Sequence, residues 1–167
     1  MEAVRVDRFA DGTRTGFLFL LAAVATTLAV SGCAGGPQCA PYARSLTGLA
    51  LSGDAAAWWR QSDGRYAHAD RPVPGAVLVF RPSRAMRDGH VAVVRRLVAA
   101  REIRVDHANW EPGRIDRDVP VIDVSAANDW SVVRVWWRPS RGIGRTAYPT
   151  FGFILPETAP SSETAMR

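Results

Sequence analysis

The chain has 167 residues, of which 47% are apolar and 22% charged, and carries a formal net charge of +5 at pH 7. That length holds one ordinary domain with appendages, and the balance is that of a folded protein, which excludes a disordered one. All 21 basic residues are Arg; a basic surface suits anionic membranes, wall polymers or nucleic acid and by itself selects none of them.

In chain order, an Arg-bearing leader precedes "FLFLLAAVATTLAV" (17–30), an uninterrupted run of apolar or small residues. The run is shorter than the ~20 residues a membrane-spanning helix needs, and its flanks are those of a secretory signal. Val30-Ser31-Gly32-Cys33 then resembles a bacterial lipobox, with small residues at the two positions before the cysteine. The resemblance implies cleavage before Cys33 and acylation of its sulfur. It further implies a cell-envelope protein held on a membrane facing the periplasm, and Ala34 after the cysteine implies the outer membrane. The plainer alternative is an ordinary signal cut near Ala34. Residues 1–32 are thus expected to be signal peptide and 33–37 a lipidated short tether.

An exported compartment is oxidising, and cysteines there normally pair. With Cys33 consumed as a thioether, Cys39 is left as a single thiol, either reactive or buried and inert. Cys33 and Cys39 are separated by six residue steps, at most about 20 Å of extended chain. A site near Cys39 is therefore expected to face or hug the membrane surface, or to have its access regulated by release from that surface.

From Cys39, "CAPYARSLTGL" reads as a helix with Ala40, Tyr42, Ala43 and Leu46 on an apolar face, Pro41 in the tolerated first turn and Gly48 as the stop. Ser52-Gly53-Asp54 is expected to cap a second short helix, "AAAWWRQ". After the turn signal "RPVPG", strands are predicted at 76–80, 90–94, 102–110 and 131–137. The tail from 156 is polar, rich in Pro, Ser and Thr, and expected to be disordered. The pattern is α+β, N-terminal helices followed by an antiparallel sheet, with the folded part at 38–155.

A thiol nucleophile is favoured at a helix N-terminus, where unpaired amides and the dipole stabilise thiolate, and Cys39 begins the first helix. Such a thiol needs a base, and the base a partner that fixes its tautomer. His90 opens the strand "HVAVV" behind Gly89, whose bare backbone would let a substrate approach. In "IRVDHAN" alternation puts Ile103, Val105, His107 and Asn109 on one face, so two polar groups extend a core-facing row toward the strand bearing His90. Asp106 is expected to be a surface charge, His68 to be solvated, and the arginines at 84, 87, 95, 96, 101 and 104 to form solvated faces. The tryptophans are expected in the core, with one member of each doubled pair, 58–59 and 136–137, turned outward. No short ligand pair suggests a zinc site, and no cofactor is implied.

"QCAPYAR", "GHVAVV" and "IRVDHANW", in that order and separation, resemble the CHAP domains, the cysteine- and histidine-dependent amidohydrolases/peptidases related to NlpC/P60 peptidases. The resemblance implies a papain-like CHAP fold, with helices (the first carrying the cysteine) packed on a small antiparallel sheet. It implies Cys39 as nucleophile and His90 as general base. Many CHAP enzymes carry Glu where this chain has His107; NlpC/P60 relatives use a His third residue, and Asn109 could also orient the base. The oxyanion donor is expected to be the Cys39 backbone N–H, with the Gln38 side-chain amide as a second candidate. The implied function is hydrolysis of an amide in the peptide stem of peptidoglycan, as an amidase or an endopeptidase, with no nucleic-acid partner and the oligomeric state open. Two other readings stand beside it: a non-catalytic wall-binding or assembly lipoprotein, and a papain-like amidase on another exported substrate.

Overall fold

A computed structural model describes residues 36–156. The expected signal peptide, the acylation at Cys33 and the tail from 157 onward lie outside the described residues. The chain forms α1 (Cys39–Thr47), α2 (Ala55–Ser62), β1 (His68–Ala69), β2 (Val77–Phe80), β3 (His90–Ala99), β4 (Glu102–Ala108), β5 (Ile115–Asp123), β6 (Val132–Trp137), β7 (Gly142–Ile143) and β8 (Tyr148–Ile154).

Both helices lie where the sequence puts them. Gly48 ends α1 in the left-handed conformation (φ 72°), its N–H donating to the Arg44 carbonyl, a geometry glycine adopts without penalty. The N-terminus of α2 is held differently from expectation. Asp54 makes no side-chain cap; instead the Ala56 N–H donates to the Asp88 carbonyl at 2.8 Å. Gln61 exchanges two bonds with the Ser52 backbone, and Leu46 of α1 is exposed rather than packed.

The sheet overturns the expected papain-like arrangement of helices on a small sheet. The strands run β1-β8-β2-β3-β4-β5-β6-β7, all neighbours antiparallel, and β8 also pairs with β6. Strands β8, β2, β3, β4, β5 and β6 therefore close into a six-stranded barrel. The physical reason lies in β8, "YPTFGFI", which bends to pair with both β2 and β6 around the barrel while β1 also pairs with its end. Gly152 sits at φ 126°, where a Cβ would meet the Ala69 carbonyl at 2.8 Å, and the ladder with β2 slips between Val79 and Phe80. Bulges and glycines of this kind curve a sheet to closure. Only two α-helices occur among the described residues, beside one 3-10 turn at Arg138–Ser140, and they are too short to make a layer of their own.

The burial follows from closure. Leu78, Phe80, Ala92, Val94, Ile103, Val105, Val121, Trp130, Val133, Val135 and Phe153 fill the barrel. The alternate residues Val77, Val79, Val91 and Val93 face outward under α1 and α2, packing with Ala40, Ala43, Leu49, Leu51 and Trp58. Strands covered on both faces read as continuous apolar runs, which is why "AVLVF" and "HVAVV" do not alternate.

Of the arginines expected to form solvated faces, those at 84, 87, 95, 96 and 101 are exposed and Arg104 is half-buried; four of them also pair, Arg95 with Asp106, Arg96 with Asp118, Arg101 with Asp123 and Arg104 with Glu102. Asp106, expected at the surface, is buried, and its Oδ1 accepts from the Asp118 N–H at 2.8 Å. It lies opposite Val93 of β3 on the outer face of the barrel, where Arg95 and the Asp118 N–H satisfy its carboxylate.

Candidate active site

Cys39 is a free, half-buried thiol at the first position of α1. Backbone N–H groups of Val91, Ala40 and Cys39 itself address its sulfur, so the thiol lies against the start of β3, one residue beyond His90. These amides favour thiolate, yet burial outweighs them, and with the charge of Asp88 it raises the thiol above its ordinary 9.0. The helix terminus thus shapes the site without producing a standing thiolate.

His90 Nε2 is 3.1 Å from His107 Nδ1, both rings buried. Burial first, and His107 second, holds His90 well below 6.5. Burial also lowers His107 to about 4, opposed by the negative charge of Asp116, its cross-strand partner on β5. Both imidazoles are therefore neutral near pH 7, and one ring must donate to the other. If His90 donates from Nε2, its Nδ1 keeps a lone pair.

An aromatic shell holds the two rings. Trp110 stacks on His107 (centroids 5.4 Å, 19°) and meets His90 edge-on at 5.0 Å, while Phe80 meets His90 edge-on at 5.4 Å. The shell keeps the pair dry, and Trp110 is a site residue that sequence reading left as the end of a motif.

Asn109 does not continue the β4 row. The strand ends at Ala108, and Asn109 is left-handed at φ 60°. Its Nδ2 donates to Gln38 Oε1 at 3.0 Å, and its Oδ1 accepts from the Gly113 N–H at 3.0 Å. Asn109 thus clamps the β4–β5 turn to the residue before Cys39 rather than touching His90. Gln38 also donates from Nε2 to the Gly36 carbonyl at 3.3 Å, which leaves its second amide hydrogen uncommitted.

Cys39, His90, Gln38, Asn109 and Trp110 line one cleft of about 440 Å³, closed on other sides by Met86, Asp88, Trp137 and Tyr148. Gly89 at φ 69° opens it, but not to admit a substrate: an added Cβ would meet the Phe80 carbonyl at 2.9 Å and Ala56 at 3.0 Å. Its bareness lets α2 dock against the start of β3 and so places His90.

His68 lies apart from this cleft. Its Nε2 is 2.6 Å from Ser62 Oγ, its ring stacks on Trp59 at 3.9 Å, and Asp63 lies 3.6 Å from Nδ1. The set imitates a serine triad. However, Ser62 is fully buried and its hydroxyl donates to the Trp59 carbonyl at 2.7 Å, so it is a structural lock.

Residues 29–109 match the family model described as the CHAP domain. No curated protein matches the chain.

Proposed function

Residues 29–109 belong to the CHAP domain family, whose members are hydrolases of the amidase and peptidase type, and from that premise we propose that this protein cleaves an amide in the peptide stem of peptidoglycan by a Cys39–His90 mechanism. The observation that carries the reading is one cleft lined by a thiol at a helix start and by His90, whose Nε2 is backed by the buried His107.

In this mechanism the His90 Nε2–H keeps its hydrogen bond to His107 Nδ1, and His90 Nδ1 takes the thiol proton as Cys39 Sγ bonds to the carbonyl carbon. The C–N bond breaks as His90 returns that proton to the leaving nitrogen. Water, deprotonated by His90, then opens the thioester and restores the thiol. The Cys39 N–H and the uncommitted Gln38 amide hydrogen are the donors proposed for the oxyanion, each of a kind worth about 10²–10³ in turnover. His107 acts by fixing the His90 tautomer. Because thiol and imidazole are both neutral at rest, the proton moves as the substrate is attacked, not beforehand.

In this reading acyl groups on Cys33 hold the chain at the envelope membrane; the Val30–Cys33 motif supports this. Digestion of peptidoglycan under reducing conditions with the full chain, followed by mass spectrometry of the products, tests the function. New amino termini on stem peptides are expected, and their position names the bond. Glycosidic cleavage alone, or no release from any of several wall types, would overturn the reading.

A further inference from the structure

The catalytic cleft does not end at Trp137. A second cavity of about 560 Å³ adjoins it and shares Trp110, Trp137 and Tyr148 as common walls. It is built by the end of β6, β7 and the connection to β8, outside the residues that match the CHAP model. Gly144 makes this possible: its N–H donates to the Val135 carbonyl at 2.8 Å, and a Cβ there would come within 3.1 Å of that carbonyl and 3.4 Å of the Trp137 Cβ. The bare backbone thus packs the connection tightly onto β6 and leaves room beside the Trp137 ring.

The lining is chemically uneven. Five of its nine residues are aromatic or aliphatic, and Trp137 is 42% exposed, an unusual position for so large an apolar ring. The polar members are the hydroxyls of Ser140 and Thr146 and the guanidinium of Arg145, with no carboxylate among them. Ser140 donates to the Trp137 carbonyl at 3.0 Å, which leaves its oxygen free to accept. On the far side of Cys39 a smaller cavity of about 250 Å³ carries the carboxylates Asp54 and Asp88. Cys39 therefore lies between an acidic end and an aromatic end rimmed by hydroxyls and one cation.

We infer that the aromatic cavity is a subsite for an N-acetylated pyranose ring of the glycan strand. Such a ring has an apolar C–H face that suits the Trp137 wall. Its polar edge offers hydroxyl and acetamido groups to Ser140, Thr146 and Arg145. A stem carboxylate could use Arg145 alone and would leave the aromatic wall without a partner. The inference deepens the wall-hydrolase reading and rests on it. With a sugar beside the cleft, the amide over Cys39 is the one joining the glycan's acyl substituent to the first stem residue. The acyl carbon then passes to Cys39 Sγ, the stem leaves as a free amine protonated by His90, and water returns the carboxylate on the glycan.

Calorimetric titration of the full chain carrying Cys39→Ala tests the subsite without hydrolysis. An N-acetylglucosamine trimer and a free stem tripeptide are the two probes. The trimer is expected to bind, Trp137→Ala to weaken it at least about tenfold, Trp137→Phe to retain most of the affinity, and Arg145→Gln to cost a few-fold. Tripeptide binding is expected to fall much less than trimer binding in Trp137→Ala, since Trp137 also walls the Cys39 cleft. Absence of trimer binding, trimer affinity unchanged by Trp137→Ala, or a tripeptide weakened by Trp137→Ala as much as the trimer would overturn the inference. A wall-inactive wild type that still binds the trimer through Trp137 would instead count against the hydrolase reading and leave the subsite standing.

Discussion

At the residue scale Cys39 and His90 line one cleft as two neutral groups, and their neutrality has measurable consequences. Burial raises Cys39 and lowers His90, so the thiolate–imidazolium pair is the minority form in the free protein. Iodoacetamide labelling of Cys39 is expected to accelerate with pH through and beyond 9; a plateau below pH 7 would show a standing ion pair instead. The acid limb of kcat/KM, which reports the base in the free enzyme, is expected well below 6.5.

His90 and His107 also link stability to pH. Both are lowered in the fold relative to the 6.5 of an unfolded histidine, so the unfolded chain binds more protons below 6.5. Their contribution is complete above 6.5 and drains as pH falls, for His107 until about 4. The His107 share is about 3 kcal/mol. Thermal unfolding followed from pH 7.5 to 4 is expected to show this slope, and His107→Gln to reduce it. Gln also offers an acceptor to His90, so His107→Gln is expected to keep more activity than His107→Ala, whose kcat should fall by about 10²–10⁴; equal losses in the two would show that His107 does not act by fixing a tautomer.

Much of the site was legible at this scale, because a cysteine opening a helix and a histidine opening a strand are local patterns. The alternation that carried His107 toward His90 was legible too. The place of Asn109 was not, since it depends on the strand ending at Ala108 and on a left-handed residue that spacing does not reveal. The Trp110 stack was equally hidden, being a contact between a turn and a strand.

Among the elements, β3 and α2 share one critical joint. Gly89 combines a left-handed backbone with contact to the Phe80 carbonyl and Ala56. Gly89→Ala is expected to lower stability by at least about 1–3 kcal/mol from the backbone alone, and to lower activity further by displacing His90. Chemical denaturation checks the first effect; an unchanged midpoint would contradict the docking described for α2. Strands β2, β3, β4 and β6 were legible because each is an apolar or alternating run. Strands β5 and β8 were not. Pro120 interrupts "IDRDVPVID", Pro149 and Gly152 interrupt "YPTFGFI", and such residues normally mark edges and breaks. Here Gly152 sits at the register slip between β8 and β2 and Pro120 keeps its place opposite Arg104, and without β8 the strands read from sequence do not close.

The whole molecule places its cleft close to its N-terminal entry. Gly36 packs on Gly113 in the β4–β5 turn, where a Cβ would come within 2.9 Å of the Gly113 Cα, and Gln38 is clamped by Asn109 in the same turn. Of the six residue steps between Cys33 and Cys39, only those before Gly36 remain as tether, about 10 Å of extended chain. If Cys33 is acylated, the catalytic end of the barrel is held beside the membrane. Intact-mass spectrometry of the membrane fraction is expected to show a chain acylated at Cys33; an unmodified chain starting near Ala34 would remove the anchor. A Gly/Ser insertion between Cys33 and Gly36 is expected to change activity on wall in cells, and unchanged activity would show that the tether does not limit reach.

Everything proposed for the function depends on the thiol at the start of α1. The most direct measurement compares the rate of peptidoglycan hydrolysis by the wild-type chain with that of Cys39→Ala at equal concentration under reducing conditions. A fall of at least about 10³-fold is the predicted result. Hydrolysis that survives in Cys39→Ala at a comparable rate would contradict the Cys39–His90 mechanism.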